Sequence, residues 1–335
     1  MKYVNILLLF VCSICAGMSQ AAAQTIDNRY ELTVAKDGSG DCRSIQEAIN
    51  KVRDHAERRV VILIKSGTYH EKVVIPAFKR NITLKGEGAE KTIINGDDHT
   101  GKAFRGIDAT GDKNYSTYTS YSLLVAASDC SLEDLTIQNT AGRVGQAVAL
   151  HTEGDRIAIR RCRILGNQDT LYLARGGSRV YLEDCFINGT TDFIFGAATA
   201  YFLNCRIQSL SNSYITAAST QEEEAYGFVF KGCSLLAESA KVDKVYLGRP
   251  WRPYAKTVFI DTQMGAHITP EGWHAWPGDK NFPNKEYTVF YAEYGSTITG
   301  GGGLDQRVSW AKKLSKSDLK KYTLTRVLDG WNPAN

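Results

Sequence analysis

Two aspartates stand 23 residues apart in segments of similar design: Asp169 in GNQDTLY (Gly166–Tyr172) and Asp192 in GTTDFIFG (Gly189–Gly196). Each lies beside a stretch that reads as a β-strand, among aromatic and apolar neighbours. Two carboxylates held close together and shielded from water cannot both ionise freely, so one keeps its proton and serves as an acid while the other carries charge. Gln146, in GQAVAL (Gly145–Leu150), precedes Asp169 by the same 23 residues, and Gln168 immediately precedes it. Two amide donors beside two carboxylates suit an oxyanion hole next to a nucleophile and an acid. A lone buried glutamine ordinarily satisfies backbone groups; the spacing to the aspartates sets these two apart. Farther on, LGRPW (Leu247–Trp251) supplies Arg249, whose planar fork matches a carboxylate. It also supplies Trp251, a flat face for a sugar ring, to which Tyr172, Phe195 and Tyr254 add.

A repeating chain would bring these residues together. Leu132-x-x-Leu135-x-Ile137 recurs as Ile159-x-x-Cys162-x-Ile164, Leu182-x-x-Cys185-x-Ile187, Phe202-x-x-Cys205-x-Ile207, Phe230-x-x-Cys233-x-Leu235 and Phe259-x-x-Thr262-x-Met264, at steps of 27, 23, 20, 28 and 29 residues. Short runs of period-two apolar spacing, broken by Gly, Asn or Asp and repeating every twenty to thirty residues, predict a parallel β-helix in which each repeat is one coil. Equivalent residues then stack about 4.8 Å apart. Cys162, Cys185, Cys205 and Cys233 fall on one position of the repeat. The first reading is an internal packing ladder; the second is a disulfide between neighbouring coils, best placed at Cys185–Cys205, which export permits and coil spacing allows.

The ends of such a cylinder need covers. Ile45, Ala48, Ile49 and Val52 form the stripe of an amphipathic helix, with Ser44 as N-cap and Glu47 three residues on, expected to close the N-terminal end. At the other end, Asp318–Leu328 reads as a polar helix with Leu319, Tyr322, Val327 and Leu328 available for packing. No linker or shift in composition divides the chain, so a single domain is expected.

The first 23 residues read as an export signal: Lys2, an apolar run from Ile6 to Ala16, and Ala21-Ala22-Ala23 before Gln24. The run is shorter than the ~20 residues of a membrane span, so a periplasmic or extracellular protein of residues 24–335 is expected. Without Lys2 the formal net charge falls from +4 to +3, which argues against a broad nucleic-acid or membrane-binding surface. Eight cysteines become six, without CxxC pairs or histidines at zinc spacing, so no metal site is expected. No GxSxG elbow anchors a serine triad.

GQAVAL, GNQDTLY, GTTDFIFG and LGRPW, in that order, resemble the signature blocks of the pectin methylesterase (pectinesterase) family. DGSGDCRSIQEAI (Asp37–Ile49), GTYHEKVVI (Gly67–Ile75), FYAEY (Phe290–Tyr294) and Gly301–Gly303 resemble its opening and closing segments, so the likeness runs from about Tyr30 to Trp331. The resemblance implies an all-β, single-domain right-handed parallel β-helix, with an N-terminal capping helix and a C-terminal helical tail, that removes methyl esters from homogalacturonan. It implies no metal or organic cofactor and a monomer. It casts Asp192 as nucleophile and Asp169 as general acid, then base. Gln146 and Gln168 become oxyanion donors, Arg249 the orienter of Asp192, and Trp251 a wall of the sugar groove. Asn167 and Thr191 stand where an aromatic and a Val are common, ITAAST (Ile215–Thr220) lacks a usual Gln, and Gly176-Gly177 lengthens a turn between the aspartates. None of these replaces a reacting group. The competing readings are a polygalacturonase, whose Asn-Thr-Asp and Gly-His-Gly signatures are missing; a lyase, whose calcium-binding acidic clusters and basic proton abstractor are not evident; and a non-catalytic glycan-binding scaffold.

Overall fold

The computed structural model describes residues 30–104, 106, 111–299 and 304–333; the export segment expected over residues 1–23 and the Gly301–Gly303 motif lie outside the described residues. The strands form three sheets of 11, 9 and 7 members, paired in parallel from coil to coil, which is the expected β-helix. The register is the one the repeat anticipates. Leu132, Ile159, Leu182, Phe202, Phe230 and Phe259 stand side by side in the largest sheet. Ile137, Ile164, Ile187, Ile207, Leu235 and Met264 do so in the nine-stranded sheet. These side chains face inward and are almost wholly buried. Phe202, Phe230 and Phe259 stack at 4.2 and 4.4 Å, and each ring removed from water contributes about 1.5–3 kcal/mol.

A left-handed residue turns each coil from the first of these sheets into the second. Asp134, Arg161, Asp184, Asn204, Gly232 and Asp261 have φ between 50° and 64°, a region that Asp, Asn and Gly enter at least cost. Their N–H groups donate to carbonyls of the next coil, as from Asp184 to Leu203 at 3.1 Å and from Asn204 to Lys231 at 3.0 Å. The residue after each corner points inward, and there the cysteines lie. Cys162, Cys185, Cys205 and Cys233 are buried free thiols, so the packing ladder is the reading the structure adopts. Cys162 and Cys185 each direct their sulfur to the carbonyl two residues back, at 3.3 Å. Thr262 reproduces that contact with its hydroxyl at 3.3 Å.

The N-terminal cap is as expected. Helix α1 (Ile45–Lys51) buries Ile45, Ala48 and Ile49, and Ser44 accepts a hydrogen bond from the Glu47 N–H. The N–H groups of Ile45 and Gln46 donate to the Glu71 carboxylate at 3.0 and 3.1 Å, satisfying donors that a helix start leaves open.

The C-terminal end differs from expectation. Asp318–Leu328 is not one helix but a 3-10 turn, Asp318–Lys321, followed by the single turn α2 (Leu324–Val327). The break falls at Thr323, whose extended backbone (φ −69°, ψ 149°) stands between the two turns and caps the start of the second. The tail lies along the outside of the largest sheet, where Tyr322, Val327 and Leu328 cover Tyr181, Tyr201, Val229 and Val258. The open end is met instead by Val308, Trp310 and Ala311, which pack against the inner core. Arg307 anchors that segment. Its Nε and Nη2 donate to Glu293 at 2.8 and 3.2 Å, and its Nη1 to the carbonyls of Thr269 and Pro270, both at 3.0 Å. Both side chains of the pair are buried. Arg307→Ala, which strands the Glu293 carboxylate, is expected to cost about 3–5 kcal/mol of stability, and the double change Glu293→Gln with Arg307→Met far less. Urea unfolding of the two variants checks this.

Candidate active site

The site lies on the outer side of the seven-stranded sheet, where the strands Leu150–Thr152, Leu171–Leu173, Ile194–Gly196, Tyr214–Ala218 and Tyr246–Gly248 succeed one another. Just ahead of these strands, Gln146 pairs with Gln168 in a parallel bridge. The Asp169 N–H donates to the Thr191 carbonyl at 3.1 Å and that of Asp192 to the Tyr214 carbonyl at 2.8 Å. Coil stacking therefore sets the two aspartates in one column. Both are left-handed, with φ of 65° and 50°, a conformation that costs a non-glycine residue on the order of 1–3 kcal/mol and clusters at functional sites.

Arg249 reaches the column from the end of its strand. Its backbone N–H donates to the Thr216 carbonyl at 2.9 Å. The close approach depends on Gly248, where a Cβ would stand 1.9 Å from Thr216 Oγ1. The guanidinium grips Asp192 with both arms, Nε to Oδ1 at 3.0 Å and Nη2 to Oδ2 at 2.6 Å. Aromatic rings flank it, Tyr214 at 4.1 Å and Trp276 at 3.6 Å from Cζ.

The two carboxyls differ in what holds them. Asp169 is buried, and no cation forms an ion pair with it among the described residues. Burial, and then the charge of Asp192, push its pKa up to about 8, against the weaker pull of Arg249. Burial also raises Asp192, but the Arg249 fork opposes that rise through hydrogen bonds and charge. The first proton is therefore retained by Asp169, and the negative charge rests on Asp192.

A cleft of about 370 Å³ joins Gln146, Gln168, Asp169, Asp192, Arg249, Trp251 and Phe195. Tyr172 lies beneath it, stacked on Phe195 at 4.4 Å and within 6.4 Å of Trp251. Of the residues expected at the site, Tyr172 and Tyr254 are not in the cleft lining: Tyr172 supports it from behind Phe195, and Tyr254 occupies a left-handed turn position beyond Trp251. Thr117, Tyr118, Ala217 and Trp276 also line the cleft, and sequence reasoning missed them. Thr117 and Tyr118 come from a stretch outside the repeat. The GWHAWPG segment (Gly272–Gly278) signalled aromatic content without saying that Trp273 is core and Trp276 is cleft. His151 continues the column of Phe195 and Tyr172, and burial pulls its imidazole down to about 4, leaving it neutral.

A parallel β-helix whose outer cleft holds two buried aspartates, one of them clamped by arginine, has the parts of a nucleophile, an acid and an anion-stabilising pocket. The Pectinesterase family profile matches residues 31–331. "Probable pectinesterase/pectinesterase inhibitor 21" of Arabidopsis thaliana is 34% identical over 94% of this chain and 47% of its own length. The chain thus spans about half the length, or less, of several curated relatives it matches. The solved structure of the pectin methylesterase from carrot is 32% identical with a TM-score of 0.79, covering 90% of this chain and 95% of that one. A pectin methylesterase solved in complex with a hexasaccharide is 30% identical with a TM-score of 0.76, covering 90% and 97%. The chain belongs to the pectinesterase family.

The proton on Asp169 also links stability to pH. Its carboxyl binds a proton more tightly folded (about 8) than unfolded (about 3.9), so the native state holds the extra proton between those values. Its contribution to stability is full below about pH 4 and is lost as pH rises toward about 8. The thermal midpoint of the wild type is expected to fall across that window relative to Asp169→Asn, a difference that parallel melts at stepped pH measure.

Proposed function

We propose that this chain is a pectin methylesterase, hydrolysing the methyl esters of galacturonate units in homogalacturonan to methanol and free carboxylate. The observation that carries this reading is the asymmetric carboxyl pair, with Arg249 fixed on Asp192 and Asp169 left protonated beside it. Asp192 attacks the ester carbonyl carbon, and the carbonyl oxygen, now negative, takes hydrogen bonds from the amides of Gln146 and Gln168. As the tetrahedral intermediate collapses, the bond to the methoxy oxygen breaks and Asp169 gives that oxygen its proton, releasing methanol and leaving an acyl-Asp192 anhydride. Asp169, now ionised, takes a proton from water, which attacks the anhydride and frees the uronate and Asp192. The order of protonation suits this sequence at neutral pH, and activity should decline as pH rises through about 8, where Asp169 loses the proton that the first step requires.

The sugar ring rests against Trp251 and Phe195, over Tyr172. The two carboxyls, the amides and the tryptophan wall fit an ester on a saccharide better than a glycosidic bond. The chain performs this as an exported monomer of one domain, residues 24–335, in the periplasm or outside the cell, on the polysaccharide and without nucleic acid, membrane or cofactor. Methanol release from highly methylated pectin, assayed beside reducing ends and unsaturated products, tests the reading. Asp192→Asn is expected to abolish methanol release with the fold intact by circular dichroism. Gln146→Ala or Gln168→Ala is expected to lower kcat by about 10²–10³. Chain cleavage without methanol would move the protein to the glycosidases or lyases.

A further inference from the structure

Against the two cleft tryptophans lies a cation that the reaction does not use. Lys285 opens the short turn Lys285–Tyr287, outside the repeat, yet only 1% of it is exposed. Taking an ammonium out of water costs several kcal/mol unless its partners repay it, so its partners identify its role. Nζ donates to Asp279 Oδ2 at 2.7 Å and to the Trp251 carbonyl at 3.4 Å, and lies 4.7 Å from the centre of the Trp276 ring. Trp276 in turn meets Arg249 at 3.6 Å. A second cation, Arg252, donates to the same Trp251 carbonyl at 3.1 Å and lies over the Trp251 and Phe282 rings.

We propose that Lys285 is a positioning residue: pinned by Asp279, it fixes Trp251 through its carbonyl and Trp276 through its ring, and Trp276 holds the Arg249 guanidinium on the Asp192 carboxylate. The chemistry of the contacts supports each link. Cations attract the faces of indole rings, so Trp276 is drawn to Lys285 and to Arg249 together. The like charges of Lys285 and Arg249 disfavour a retreat of the guanidinium from Asp192 toward the lysine. Asp279 neutralises Lys285 without competing for Arg249, whose hydrogen-bonding arms are committed to Asp192. The catalytic consequence rests on the esterase reading proposed above; the link between Lys285 and the tryptophans does not.

Lys285→Met, which keeps an unbranched apolar stem, and Lys285→Arg, which keeps the charge, test the proposal through kcat and KM for methanol release, thermal unfolding and tryptophan emission. Lys285→Met is expected to unfold cooperatively, to shift the emission, and to lose about tenfold to hundredfold in kcat, the scale of an ångström-sized misplacement; Lys285→Arg should recover most of it. In a Trp276→Phe background the same change should add little further loss in kcat. Wild-type kcat and emission in Lys285→Met would overturn the proposal. So would a loss that only tracks the folded fraction, or one that adds in full to that of Trp276→Phe. A wild-type protein that releases no methanol would remove the esterase reading, while emission would still decide whether Lys285 holds the tryptophans.

Discussion

Parallel strands pair at a fixed spacing of about 4.8 Å, and in a coiled chain this makes sequence distance irrelevant and coil position decisive. Asp169 and Asp192 are neighbours because one coil separates them, as Gln146 and Gln168 are. The same constraint governs the interior, where any residue must stack on its counterparts above and below. That is why Phe202, Phe230 and Phe259 line up and why a small thiol recurs at the corner. A change of one residue in a coil would turn an inward column outward and would also separate the carboxyls.

On that frame the site depends on unequal treatment of two like groups. Both aspartates are taken out of water, which alone would favour their neutral forms. A guanidinium gripping one carboxylate by two bonds breaks the symmetry, and the charge thereby fixed on Asp192 helps keep the proton on Asp169. The aromatic rings around Arg249 supply a face for the cation without offering a second acceptor. The left-handed backbone at both aspartates is a local cost that the surrounding ladder of strands sustains.

The coils were legible in the sequence because the core imposes a period. Leu132 to Phe259 recur at spacings close enough to align by eye, and the observed register matches them residue for residue. The carboxyls, amides and Arg249 were legible through their motifs and through the 23-residue step. Segments outside the period were not. Trp276 and Tyr118 reach the cleft from segments whose paths follow from three-dimensional packing, and Tyr254, three residues after Trp251, occupies a left-handed turn position outside the cleft lining. The tail reads as one helix in the sequence because Leu319, Tyr322 and Val327 keep helical spacing, and nothing in that spacing marks the extended Thr323 that separates its two turns.

The position of that tail bears on how the protein is made. Strands that contain Tyr181 and Tyr201 leave the ribosome more than a hundred residues before the Tyr322, Val327 and Leu328 that cover them. A growing chain can stack its coils as they emerge, each new strand finding an edge already formed, but the aromatic strip along the largest sheet stays bare until the tail has emerged. Arg179, held by Asp155 through Nε and Nη2, gains a further acceptor only when the tail arrives, its Nη1 donating to the Leu328 carbonyl 149 residues on at 3.3 Å. A chain without this tail would present an uncovered apolar strip to its neighbours, so the segment acts as the cover that separates a dispersed molecule from an aggregating one.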